Sequence, residues 1–419
     1  MILLVSDLDL KGSGYMQIAI GLAQQMAARG HKVKVLGFGY EGGEHNWPFS
    51  IIPVRTHEAW LQTPHMVRNL VTLGQAGQSE PVEALIVALD IPHQARALMM
   101  PHTDYPYIGV FPVESGPLCT TWANVVAGMN ASLVISKFGE RQILDANGKA
   151  TYLPIGLDTA SWRLPGETER EAIRKQMDLQ DYFVVLTVAD NQERKNLSAA
   201  MVAIAKLRDA GIPVRWMLVT RVESPVGWRL GDLAWKYGLQ ENVMTFERGI
   251  PHDRLWLLHA AADAFLLPSK AEGLCNPVME AMACGVPVAA TDCTAISEHL
   301  WEDPEHHKGQ RGFPIQTEYK HIDPWGNSVR HYASADSAAK QLIWIYRAAK
   351  KNDKRLSEIV QRARWYVETR SWDACGGVLE EGLQAAIAKY RQTKPQGVVV
   401  PPTVPSLVPF FQTPEVTSE

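Results

Sequence analysis

What this chain lacks narrows it first. Its 419 residues hold only five cysteines, Cys119, Cys275, Cys284, Cys293 and Cys375, odd in number and without a C-x-x-C pair. That argues against a disulfide framework or a structural zinc site and for a reducing compartment. No apolar run reaches the ~18 residues of a membrane span. The opening MILLVSDLDLKG has neither a basic stretch nor a small-residue cleavage site, so the expectation is a soluble, cytoplasmic protein. Neither sign of charge dominates: 41 basic against 45 acidic residues leave a formal net charge of −4, and nothing recommends the chain as a nucleic-acid binder. No cluster of His or carboxylates has convincing ligand spacing, so neither a metal nor another cofactor is expected. Asp7-Leu8-Asp9 spells D-x-D, but its place at the end of the first strand candidate suits loop capping better than a cation.

What is present is a 46% apolar content and a length suited to two domains of roughly 150 to 200 residues. Strand patterns alternate with helical ones, the signature of parallel sheets covered on both faces. In the first half the strand candidates are 2–7, 32–36, 84–89, 107–112 and 132–135. In the second they are 183–188, 214–219, 243–246, 264–267 and 286–290. Gly156, Pro165 and Gly166 punctuate a polar boundary, which predicts domains over 1–158 and 159–370. The stretch 301–333 reads as an irregular excursion with one short strand near 312–315, followed by helices over 334–349, 353–369 and 371–392. From 393 to 419 proline is too frequent for helix or central strand, and a tail is expected.

Two carboxylates carry the most information. Glu272 and Glu280 lie eight residues apart in AEGLCNPVMEAMACGVPVAATD, the first in a loop after a strand, the second about one turn into a helix. Pro277 suits the first helical turn. The loop and amides of Gly273, Leu274, Cys275 and Asn276, with the positive end of the helix dipole, then favour an anion above the strand ends. Acids beside an anion site conflict unless they accept hydrogen bonds from hydroxyls, which a nucleotide-sugar supplies.

At this point the chain resembles the retaining glycosyltransferases of family 4, with their E-x7-E signature and GT-B architecture. NQERKN follows the strand YFVVLTVAD, and Arg194-Lys195, 77 residues before Glu272, resemble the basic pair that holds the donor pyrophosphate. LPIGLDTASW, 153–162, is similar to the family's interdomain segment, and Ser371-Trp372-Asp373 to its late helix. The resemblance implies two Rossmann-like doubly wound domains around a cleft, with helix 371–392 crossing back onto the first domain. It implies transfer of a sugar from a nucleotide-sugar donor to an acceptor with retention and without a metal. Glu280 would bind ribose, Glu272 the donor sugar, and Arg194 and Lys195 the leaving diphosphate. The acceptor stays open among saccharide, lipid, small molecule and modified biopolymer. Two departures stand out: Cys275 replaces a glycine, and Asp190 stands where the family often has another Arg.

Further candidates line the same rim. Gly12 and Gly14 follow the first strand and let a turn pass beneath a phosphate. Asp90 or His93 stands near the family's sugar-contacting His, and Glu114 ends another strand on the ligand side. Asp90 as a helix cap with His93 on that helix's exposed face, and Glu114 as a solvated loop acid, remain open. Arg194 and Lys195 are expected to be partly solvated. An epimerase or hydrolase on the same architecture, or a non-catalytic nucleotide-sugar binder, is the alternative function.

Overall fold

The structure is a computed structural model and describes residues 1–9, 14–55, 59–98, 105–324 and 327–393. Gly12 and residues 394–419 of the expected tail lie outside the described residues. Strands β1 (Ile2–Asp7), β2 (Val33–Phe38), β3 (Ser50–Val54), β4 (Ala84–Ala88), β5 (Tyr107–Phe111), β6 (Ala131–Val134) and β7 (Thr151–Tyr152) form one sheet. It is parallel throughout, in the order β3-β2-β1-β4-β5-β6-β7. Helices α1 (Gly14–Ala28), α2 (Ala59–Gln75), α3 (Ile91–Leu98), α4 (Thr120–Ala127) and α5 (Lys137–Asp145) make the crossovers. Every residue of β4 and β5 is buried, as parallel strands covered on both faces require.

The second sheet repeats the plan with β8 (Phe183–Val188), β9 (Val214–Thr220), β10 (Val243–Glu247), β11 (Ala264–Leu267) and β12 (Val288–Thr291). Helix α6 (Glu167–Gln176) leads from the first sheet into the second, whose crossover helices are α7 (Leu197–Asp209), α8 (Leu230–Lys236), α9 (His252–Ala261), α10 (Asn276–Ala283) and α11 (Thr294–Leu300). After the short antiparallel pair β13 (Trp301–Asp303) and β14 (Lys308–Gln310), strand β15 (Phe313–Ile315) completes the order β10-β9-β8-β11-β12-β15. A second hairpin, β16 (Thr317–Ile322) with β17 (Val329–Ala333), leads to α12 (Ala335–Lys350), α13 (Lys354–Glu368) and α14 (Trp372–Thr393).

Helix α14 packs on α1, β5 and β6, against the first sheet. Gly21 and Gly156 make room for Trp372: a Cβ on Gly156 would stand 2.5 Å from the Trp372 backbone nitrogen. Lys389 Nζ donates to Met129 O at 2.9 Å near the far end of the helix.

Two readings of the sequence need correction. The stretch 301–333 is not irregular around one strand but holds two hairpins as well as β15. Five of the six residues of β16 are exposed, so its side chains carry no apolar alternation, and cross-strand pairing alone makes it a strand. β3 was not anticipated because it is an edge strand interrupted by Pro53, which only an edge tolerates.

Candidate functional site

Strand order reverses between β1 and β4 in the first sheet and between β8 and β11 in the second. Open α/β sheets bind ligands outside the carboxyl ends of the strands at such points. Asp7 ends β1, Asp9 follows it, and Asp90 follows β4. Asp190 to Lys195 follow β8, and Glu272 follows β11.

The centre is a buried ion cluster. Glu272 is 4% exposed, and its carboxylate accepts from Arg194 Nη1 at 2.8 Å and from Lys195 Nζ at 2.6 Å. A 3-10 turn, Glu193–Lys195, aims both cations at it. Burial alone would raise the Glu272 pKa, but Arg194 and Lys195 overturn that and hold it at about 2. Arg194 Nη2 reaches across the cleft to Glu114 at 3.0 Å. Desolvation works against the Arg194 cation, yet Glu272 and Glu114 outweigh it and its pKa is raised. With side chains 20% and 16% exposed, Arg194 and Lys195 are partly solvated as expected from sequence, but both are also paired with a buried carboxylate. The unforeseen term is a carboxylate brought back over 77 residues of chain.

Helix α10 begins where the loop geometry puts it. Cys275 takes the left-handed conformation, φ 79° and ψ 68°, so the turn persists without the expected glycine, at a cost on the order of 1–3 kcal/mol. Pro277 lies in the first turn. Gly273 serves close approach between domains: a Cβ there would stand 2.3 Å from Pro112 Cβ. The Leu274 carbonyl bonds His299 Nε2 at 2.5 Å. Glu280, one turn into the helix, is 3% exposed, and burial pushes its pKa up to about 7 against an opposing hydrogen bond with Gln17 of α1. Asn276 Nδ2 donates to Gln17 Oε1 at 3.3 Å, while its buried Oδ1 has no partner. Gly14 heads α1 opposite, where a Cβ would stand 4.0 Å from Asn276 Nδ2.

The Asp90 carbonyl accepts from the amides of His93 and Gln94 at the start of α3, and its carboxyl takes the Tyr15 hydroxyl. Burial, then Glu114, raises its pKa to about 7, with Arg194 opposing. His93 is half-buried on α3, and desolvation lowers its pKa. Asp7 Oδ1 accepts from the Asp9 amide at 2.9 Å, and Asp9 Oδ2 lies 3.3 Å from Arg248.

Sequence reasoning missed Arg221 and Arg248. Asp190, standing where another cation was sought, faces Arg221 at 3.1 Å and Arg248 at 3.9 Å. The electrostatic case therefore does not rest on Arg194 and Lys195 alone. Both arginines come one residue after a strand, β9 and β10, a signal legible once strand ends are taken as the ligand side. Among the described residues no group of three or more His, Cys, Asp or Glu is placed to hold a metal ion. None of the helices there is long and apolar enough to cross a membrane. A recess of about 530 Å³ bordered by Lys32, His45, Trp47 and Ile51 opens at the amino ends of β2 and β3, away from this site.

Two Rossmann-like sheets with facing switch points and a returning C-terminal helix define the GT-B fold. Sucrose-phosphate synthase from Thermosynechococcus elongatus superposes with a TM-score of 0.70 at 17% identity, covering 92% of this chain and 99% of that one. Residues 169–306 match the family model of glycosyl transferases group 1. The chain is 31% identical over 175 residues to the GDP-mannose-dependent alpha-(1-6)-phosphatidylinositol monomannoside mannosyltransferase of Mycolicibacterium smegmatis, 39% of this chain and 45% of that one. It is 26% identical over 230 residues to the putative teichuronic acid biosynthesis glycosyltransferase TuaC of Bacillus subtilis, 53% of this chain and 55% of that one. It thus spans about half the length of these curated relatives.

Proposed function

We propose that the protein is a glycosyltransferase that moves a sugar from a nucleoside-diphosphate sugar to an acceptor, with retention of anomeric configuration and without a metal. The observation that carries this is the Arg194–Lys195–Glu272 cluster at one switch point, beside the N-terminus of α10 and facing Asp90 and Glu114 across the cleft. Two cations flank one buried carboxylate, and the helix terminus adds positive potential, so this corner favours the diphosphate that leaves. Charge-assisted hydrogen bonds from Arg194 and Lys195 to the departing oxygens supply the stabilisation a transferase needs there. Glu280 accepts from ribose hydroxyls, with the unpartnered Oδ1 of Asn276 beside it. Glu272 accepts from the sugar, and the domains exclude water when they close. Retention fits same-face attack, in which the donor phosphate takes the acceptor's proton. The name of the mycobacterial relative makes a GDP-mannose donor the first to test.

Screening nucleotide-sugars for thermal stabilisation identifies the donor, since a ligand at 100 times its Kd adds about 2.7 kcal/mol. With that donor, release of nucleoside diphosphate should rise with acceptor and survive EDTA, and the product should keep the donor's anomeric configuration by NMR. Release indifferent to every acceptor would mark a hydrolase; no release would mark a binding protein. Loss in EDTA with recovery in manganese would overturn the metal-free mechanism.

A further inference from the structure

The β16–β17 hairpin reaches the cleft from the donor side. The Val329 amide donates to Gly116 O at 2.8 Å, two residues beyond Glu114 of the other domain, and the His331 amide donates to Lys270 O at 2.9 Å. Arg330, on the same strand, pairs with Asp323 at 2.7 Å and lies 3.8 Å from Glu114. The hairpin is thus joined to both walls of the cleft.

On it stands a stack of three groups. Lys270 Nζ sits 3.8 Å from the centroid of the Tyr332 ring. Tyr332 and its cross-strand partner Tyr319 are stacked at 4.4 Å with an interplanar angle of 16°. Lys270 also pairs with Glu193, the first residue of the turn that carries Arg194 and Lys195. The stack therefore runs outward from the cation turn and ends on Tyr319, whose ring is covered by Tyr332 on one face while the residue is 55% exposed. A pair serving only to hold two strands together gains nothing from that exposure.

We infer that Tyr319 is an acceptor platform, on which a saccharide lays the CH face of its terminal ring while its hydroxyls meet the charged rim. The inference rests on the transferase reading above. An aromatic face with a polar edge suits an amphipathic ring. The rim, with His321 6.4 Å from the Tyr332 ring and the exposed Glu193 that accepts from the Tyr332 hydroxyl, supplies hydrogen-bonding groups that a hydrocarbon chain would desolvate without return. The platform lies on the hairpin that borders Glu114 and next to the turn holding the leaving group, so it orients an acceptor and takes no part in bond breaking.

The test uses the full chain with a panel of α-mannobiose, maltose and cellobiose, read by saturation-transfer NMR and, with the donor found in the screen, by steady-state kinetics. In Tyr319→Ala the KM of the accepted disaccharide should rise about tenfold, the scale of one lost aromatic contact. In the same variant kcat and donor-induced thermal stabilisation should stay as in the wild type, and Tyr319→Phe should restore the KM. An unchanged KM in Tyr319→Ala, or a parallel loss of donor stabilisation, overturns the platform. So does binding to phosphatidylinositol vesicles with none of the disaccharides bound. Wild-type protein that binds a disaccharide through Tyr319 but turns over no nucleotide-sugar supports the platform as a saccharide site and overturns the transferase reading instead.

Discussion

Glu280 and Glu272 are one turn of helix and a loop apart and both buried, yet desolvation lifts the pKa of the first to about 7 while Arg194 and Lys195 keep the second ionised. For Glu280 no cation offsets desolvation, and its pKa rises from 4.5 to about 7. A carboxyl that binds its proton more tightly when folded stabilises fully below its unfolded pKa and loses that contribution as pH rises through the folded value. Asp90, raised from 3.8 to about 7, acts in the same direction. Glu272, lowered from 4.5 to about 2, has the opposite sign, its contribution present above 4.5 and lost as pH falls toward 2. Stability of the ligand-free protein in urea should therefore peak near pH 4 and fall toward both pH 2 and pH 7, with Glu280→Gln flattening the neutral limb. Donor binding should show the reverse slope: if ionised Glu280 accepts from ribose, donor-induced stabilisation grows from pH 6 to 8 in the wild type and not in Glu280→Gln. Arg194→Ala leaves buried Glu272 with one cation fewer and should cost about 3 kcal/mol in urea unfolding, the scale for stripping a partner from a buried pair. A cost below about 1 kcal/mol would return Arg194 to the solvated role its sequence position suggests. The motif named these residues; it did not foresee their pairing, because which charges meet depends on where two distant loops come to rest.

Element by element, the parallel strands were legible because burial on both faces leaves long apolar runs. The left-handed turn at Cys275 was not, since nothing in a cysteine announces φ 79°. Its cost implies an ordering of variants: Cys275→Val should lose at least about 2 kcal/mol more stability than Cys275→Gly, because a β-branched residue is a genuine outlier at positive φ. Equal melting temperatures for the two would show that the turn relaxes. The docking of α14 depends on bare backbone at Gly156, where a Cβ would meet Trp372. Gly156→Ala should cost about 1–3 kcal/mol by overpacking and raise hydrogen exchange along α14 before it does so in β8 or β11. Exchange that rises evenly over both domains would mean the helix is not held separately.

Across the whole molecule, the domains meet through polar contacts. Besides Arg194–Glu114 and Arg248–Asp9, Glu298 of α11 accepts from the amides of Lys137, at 3.1 Å, and Phe138 at the N-terminus of α5. A carboxylate is favourable at that end of a helix. Such contacts weaken with salt where they are open to solvent, so small-angle scattering should show the radius of gyration growing between 0.05 and 1 M NaCl, and more in Glu298→Ala. Bound donor should reverse the growth. A radius indifferent to both salt and Glu298 would place the holding energy elsewhere. What the sequence by itself determined is the part written in local chemistry: alternating strands and helices, two domain-sized cores, and acids and bases at strand ends, since periodicity and turn residues act over a few positions. The tertiary structure alone decided that Glu272 is clasped by two cations, that Arg221 and Arg248 surround Asp190, that Gly273 abuts Pro112, and that an exposed hairpin spans the cleft. Each of these joins residues far apart in the chain, and their energies come from burial and charge at distances that only the folded sheets set.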